Sequence, residues 1–144
     1  MQLYHLVYYS RRVSSDPAQL DAIVKVSEVN NARLGISGAL FANEAHFFQL
    51  LEGPRDALND RLRVIMADDR HAYMALTLFE VLSYRLFSDW RMARLDGADS
   101  QVARIFRAYA ADVTSPDKMA GPVIWQMIDE MSKAVLAGFS ADPS

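Results

Sequence analysis

The sequence predicts an α+β fold in the order β-α-β-β-α-β-β, with two helices on one face of a sheet and two C-terminal helices on the other. Three observations predict it. Short runs rich in Tyr, Phe, Val and Leu alternate with segments whose apolar residues recur at helical spacing. The strand-like runs are apolar at both parities, so both faces of the sheet need a cover. The chain beyond the last of these runs carries two more apolar stripes, enough to supply the second cover.

Residues 3–9 form a short Tyr/Val/Leu run and read as a buried strand. Asp16-Pro17 is a helix start, because Asp caps and Pro suits the first helical position. Leu20, Ile23, Val24 and Ser27 then share one helix face. Gly35 and Gly38 end this helix and open the next strand. Residues 39–42 and 46–52 flank Asn43-Glu44-Ala45, a short polar connection of hairpin type. Gly53-Pro54 starts a second helix with Leu58, Leu62 and Ile65 on its inner face. Asp68-Asp69-Arg70-His71 is a charged turn, residues 74–82 a strand, and residues 87–95 contain a further short strand. The β-α-β-β-α-β part is the ferredoxin-like split unit, here with one added strand. Val102, Ile105, Phe106 and Tyr109 make the first extra stripe. After Ser115-Pro116, Pro122 starts a last helix striped with Ile124, Met127, Ile128, Met131 and Val135. Residues 1–95 are the expected core, 96–139 a helical extension packed on the sheet, and 140–144 a frayed tail.

Composition narrows the function. A length of 144 residues suits one domain. With 51% hydrophobic and 23% charged residues, it builds a core without staples. There is no cysteine, which excludes disulfides, a Cys nucleophile, Cys-ligated metal and a thioether-linked cofactor. A net charge of −3 argues against a nucleic-acid partner. No apolar run reaches 18 residues, so no transmembrane helix is expected. The start, MQLYHLVYYSRR, places its charges after the apolar run, the reverse of a signal peptide. A cytoplasmic protein is the expectation.

The informative residues are polar ones where periodicity demands apolar ones. Asn31 falls close to Leu20 on the helical wheel, between Val24 and Ser27, and so points inward. Gln49 shares its strand face with Phe47 and Leu51, and Tyr8 shares one with Tyr4 and Leu6. A buried amide without a partner costs about 1–3 kcal/mol. Taken singly, each is satisfied by the others or by nearby backbone. Three on elements converging around one helix face point to the polar edge of a ligand. Trp90 and Met92 share parity, which on its own means core filling, and His71 after Arg70 reads alone as a solvated turn.

These residues fall into blocks. Leu6-x-Tyr8-x-Ser10, Asn30-Asn31 followed by Gly35-Ile36-Ser37-Gly38, and Phe47-Phe48-Gln49-x-Leu51-Glu52-Gly53 come first. Asp68-x-Arg70-His71 and Phe87-x-x-Trp90-x-Met92 follow. In order and spacing they resemble a blue-light-sensing flavin (BLUF) domain, of the short stand-alone type with two C-terminal helices. The resemblance covers residues 2–95. Two positions depart from the family pattern: Ser37 replaces a common Thr and keeps the hydroxyl, and Asn30 stands where some relatives carry His or Arg.

The resemblance implies a non-covalently bound oxidised flavin, with FAD expected and FMN or riboflavin as alternatives. It implies apolar pocket walls from Ile23, Val24, Leu40 and Ile65, with Asn30 flanking the ring. Asn31 would match the residue that bonds the ring's N3–H and C4 carbonyl edge. Asp68, Arg70 and His71 would lie on the other polar side. Tyr8 and Gln49 would be the photochemical pair, and Trp90 and Met92 the relay toward the C-terminal helices. No Gly-rich phosphate loop is present, since Gly35-x-x-Gly38 is not GxGxxG. The expected output is a separate effector protein or a change in homo-oligomerisation. A cyclic-di-GMP phosphodiesterase, a response regulator and a transcription factor are the candidates, with no nucleic-acid or membrane partner.

Three other readings compete. A flavin-free interaction module of the same fold predicts a colourless protein. An acid–base or metal enzyme would draw on His5, His46, His71, Asp68, Asp69, Glu52 and Glu80, but no HExxH-like spacing joins them. An RNA binder through the Gly-Ile-Ser-Gly turn lacks a basic flank.

Overall fold

The sheet is built around the apolar run at the N-terminus. In the computed structural model, which describes residues 2–42, 44–88, 91–95, 101–110 and 121–141, that run is β1 (Leu3–Arg12). It is followed by α1 (Pro17–Leu34), β2 (Ser37–Ala42), β3 (His46–Pro54), α2 (Arg55–Met66), β4 (His71–Leu82) and β5 (Ala93–Leu95). The extension is α3 (Gln101–Ala110) and α4 (Gly121–Ala141). The sheet order is β4-β1-β3-β2-β5, antiparallel except where β5 runs parallel to β2. This is the expected ferredoxin-like unit with its added strand.

Local chemistry sets the helix ends. The Asp16 carboxylate accepts from the Ala18 backbone N–H at 3.0 Å, and Pro17 opens α1. Gly35 closes it in the left-handed region at φ 70°, where a side chain would be strained. Gly38 answers a different need. A Cβ there would sit 2.1 Å from the Leu50 carbonyl oxygen, so only glycine lets β2 lie this close to β3.

β2 begins two residues early at Ser37 and β3 continues to Pro54, while β1 and β4 exceed their expected bounds for one shared reason. β1 continues to Arg12, and Arg11 and Arg12 pair with Ala72 and His71. His71 is therefore the first residue of β4 rather than part of the charged turn. The pairing is irregular there, and Tyr73 takes φ 52°.

Both faces are covered, as the double-parity apolar pattern requires. Leu6, Tyr8, Leu40 and Leu51 face Leu20 and Val24 of α1 and Leu58 of α2. Val7, Phe41, Phe48 and Leu50 face Ile124, Met127, Ile128 and Met131 of α4. Phe106 of α3 stacks on Phe41 at 4.6 Å between ring centroids. Trp90, Asn43, Ser115-Pro116 and the side chains of Val102 and Val135 lie outside the described residues.

Candidate functional site

Asp16-Pro17 and Gly53-Pro54 launch α1 and α2 on the same sheet face, and a cleft remains between them. Its α1 wall carries Ile23, Val26, Ser27 and Asn30, and its α2 wall Arg61, Val64 and Ile65. Tyr8, Leu40, Phe47 and Gln49 form the floor, and Asp68, Arg70 and His71 close one end. The cleft is a partly open groove, with about 580 Å³ of empty space when the adjoining solvent is counted. Val26 and Val64 are 51% and 59% exposed on its walls. Apolar side chains wetted on both walls suit a flat apolar occupant.

The floor is polar along one line. Tyr8 and Gln49 are register partners of β1 and β3, and the Tyr8 hydroxyl donates to Gln49 Oε1. Gln49 Nε2 donates to the Met92 sulfur at 3.4 Å. All three residues are buried. Burial pushes the Tyr8 phenol well above its ordinary pKa, and the Arg61 cation partly opposes this. The phenol is therefore neutral at physiological pH.

At the closed end, His71 uses both ring nitrogens. Nε2 faces the Ile65 carbonyl, which only accepts, so Nε2 carries the hydrogen. Nδ1 then takes the Ser10 hydroxyl at 2.7 Å. His71 is half-buried, not the solvated turn residue that its neighbours suggest. Asp68 receives Arg70 Nε on both carboxylate oxygens, at 2.9 and 3.0 Å. These hydrogen bonds hold the Asp68 carboxyl below its ordinary pKa and raise that of Arg70.

Asn31 and Val24 stand behind the cleft rather than on its lining. Asn31 is fully buried and donates from Nδ2 to the Arg91 carbonyl at 2.7 Å. Its Oδ1 meets no donor among the described residues. Met92 lies in the cluster beneath α1 and α2, and Trp90 is outside the described residues.

A buried network fixes the loop that leads to Met92. Glu52 is fully buried and accepts from Leu86 N at 2.6 Å, Phe87 N at 3.0 Å and Ser37 Oγ at 3.0 Å. Arg85 donates to Ser37 Oγ and to the carbonyls of Glu52 and Gly35. The histidines are far apart in role: His5 stacks edge-on against Trp125 of α4, His46 contacts Tyr9, and His71 closes the cleft.

Sequence reasoning assigns no cleft role to Ser27, Arg61, Phe47, Val26 or Val64. The available signal is the spacing. Ile23, Val26, Ser27 and Asn30, and Arg61, Val64 and Ile65, recur at three and four residues on facing helices.

The family described as BLUF, sensors of blue-light using FAD, matches residues 3–93. The chain belongs to the BLUF family. Its core is thus a flavin-using blue-light sensor module. The BLUF core is 30% identical over 92 residues to the blue light- and temperature-regulated antirepressor BluF of Escherichia coli strain K12, covering 63% of this chain and 23% of that protein. It is 29% identical over 93 residues to photoactivated adenylate cyclase subunit beta of Euglena gracilis, covering 62% of this chain and 11% of that protein. The chain thus spans about a tenth to a quarter of the length of these curated relatives. Among solved structures it is similar to the dark state of BlrB, a BLUF protein. The TM-score is 0.72 at 34% identity, over 95% of this chain and 97% of that one. No helix among the described residues is long and apolar enough to cross a membrane.

Proposed function

We propose that this chain is a blue-light photoreceptor in which Tyr8 and Gln49 carry the photochemistry and Met92, with Trp90, passes it to α3 and α4. The observation that carries the reading is the buried line from Tyr8 through Gln49 to Met92 on the cleft floor.

The residues fit a flavin. Ile23, Leu40 and Ile65 offer apolar surface to a flat ring, with Val24 behind them and Asn30 at the edge. The unpaired, buried Asn31 Oδ1 needs a donor, and the ring's N3–H is one. Asp68, Arg70 and His71 flank the other polar side. FAD is the proposed form, with FMN and riboflavin as alternatives. A bound flavin supplies the blue-light absorption and, once excited, an electron acceptor.

Tyr8 is the donor because its phenol is oxidisable and carries a transferable proton. Burial keeps that proton on the oxygen in the dark, so Tyr8 loses electron and proton in coupled steps. Gln49 Oε1 is the proton's immediate acceptor. Gln49 itself releases a proton only from Nε2. When Tyr8 regains its electron and proton, Gln49 is left rotated or tautomerised. Rotation turns Oε1 toward the Met92 sulfur, and tautomerisation removes one of the two Nε2 hydrogens. A thioether only accepts, so rotation breaks the contact that holds Met92, whereas the tautomer keeps it only where its remaining Nε2 hydrogen points at the sulfur.

Met92 immediately precedes β5, which pairs with β2 under the α3–α4 layer. A displaced Met92 therefore loads the strand next to the extension. A separate effector reads the extension, or a second copy does. A cyclic-di-GMP phosphodiesterase, a response regulator and a transcription factor remain the candidate effectors, in the cytoplasm. Relatives named as a cyclase subunit and an antirepressor support such coupling.

The test is an absorption spectrum of the purified chain in the dark and after blue light. The expected result is a flavin spectrum that shifts slightly to the red and recovers in the dark. A colourless protein that takes up no flavin would replace the reading with a flavin-free interaction module.

A further inference from the structure

We propose that Arg61, with Arg33 beside it, forms an anion subsite on the cleft that takes the phosphate of a phosphorylated flavin and makes this chain prefer FMN or FAD to riboflavin. The inference rests on the flavin reading above and assigns a role to residues that reading leaves unused.

Two guanidinium groups line the cleft, and they are committed differently. Arg70 is held by the Asp68 carboxylate through a side-chain ion pair and a backbone hydrogen bond. Arg61 has no ion pair among the described residues, and its Nε is buried without a hydrogen-bond partner. A guanidinium presents five donors in a planar fork, which suits the oxygens of a phosphate.

Arg61 has no carboxylate of its own among the described residues, and Tyr8 and Asp68 only partly offset its burial. Burial is the main influence disfavouring its charged form, and the Arg33 cation adds to it. Asp68 attracts Arg61 from a distance but spends its hydrogen bonds on Arg70. Arg33 is exposed and donates from Nη2 to Asn30 Oδ1 at 3.4 Å, and Asn30 lines the cleft. Arg61 on the cleft, without an ion pair among the described residues, and Arg33 bonded to the cleft residue Asn30 together favour an anion.

Position agrees with this chemistry. Arg61 precedes Val64 and Ile65 by three and four residues, so it lies one helical turn along the same α2 face. That turn lies away from the Asp68–His71 end along α2, and Asn30, near the C-terminal end of α1, lines the same cleft. A ring that meets Tyr8 and Gln49 on the floor can direct its tail toward this edge. Riboflavin lacks the phosphate and leaves Arg61 unpaired.

The test is a titration of the flavin-free full chain with riboflavin, FMN and FAD, read by quenching of flavin fluorescence. Charge-assisted hydrogen bonds predict FMN and FAD binding about tenfold or more tighter than riboflavin. The preference should shrink as salt is raised. Arg61→Gln should erase most of it, lowering FMN and FAD affinity several-fold more than riboflavin affinity, and Arg61→Lys should keep part. Arg33→Gln, at an exposed position that cannot disturb the core, should also lower the preference. Equal wild-type affinity for riboflavin and FMN would overturn the subsite and leave the flavin reading standing. So would an Arg61→Gln loss that is equal for all three flavins. Failure of the wild-type chain to bind any of the three would overturn the flavin reading and the subsite together.

Discussion

Tyr8 and Gln49 face each other directly across the β1–β3 ladder, and the phenol donates to the amide oxygen. The backbone pairing of two central strands holds both ends of this bond, so its alignment does not depend on long flexible side chains. Tyr8→Phe keeps the ring and its packing and removes only the proton donor. It leaves Gln49 Oε1 buried without a donor, at a cost of about 1–3 kcal/mol. The variant should fold and retain flavin. Its light-minus-dark spectrum should lack the red-shifted state, and a normal shift would remove Tyr8 from the mechanism.

The Tyr8 phenol also predicts a pH profile. Burial raises its folded pKa above the unfolded value of about 10. Below about pH 10 both states hold the proton, so the group adds no slope to stability. Above it the unfolded chain binds fewer protons than the native one, and stability falls as pH rises toward the folded pKa. The light-induced shift should therefore stay constant from neutral pH to about 10. Phenolate absorption assigned to Tyr8 by comparison with Tyr8→Phe, and appearing below about pH 10 in the folded protein, would contradict this.

Glu52 accepts two backbone N–H groups and one hydroxyl while fully buried. Leu86 N meets one carboxylate oxygen, and Phe87 N and Ser37 Oγ meet the other. Glu52→Gln turns an NH2 group toward one of these donors and forfeits at least one bond. The expected loss is about 2–4 kcal/mol, read as a lower urea midpoint at unchanged slope. The wild-type midpoint in this variant would show that the loop before Met92 is held by other contacts.

How much of this is legible in the sequence depends on how local each feature is. Asp16, Pro17 and Gly35 mark the ends of α1 because capping uses neighbouring residues. Asn31 and Gln49 stand out because they break an apolar period, and both are buried. The Glu52–Arg85 network is not legible. Its partners lie 15 to 50 residues apart, and several are backbone groups that no side-chain pattern records. Arg61 is hidden for another reason: on α2 alone it reads as a solvated cation, and only the placement of α1 opposite turns it toward a cleft. β5 has three residues, too few for any period to appear.

Met92 is where the Tyr8–Gln49 pair meets the rest of the fold. Its sulfur accepts from Gln49 Nε2, and the next residue begins β5. Met92→Leu nearly conserves volume, so it should cost less than about 1.5 kcal/mol in packing. It removes the acceptor, so Gln49 can still change state while the strand no longer feels which state it is in. The variant should keep flavin and a red-shifted lit state. Hydrogen exchange across α4 should respond to light in the wild type and lose that response in Met92→Leu. An unchanged α4 response in the variant would route the signal around the sulfur, and the relay would then rest on another contact of the β2–β5 edge.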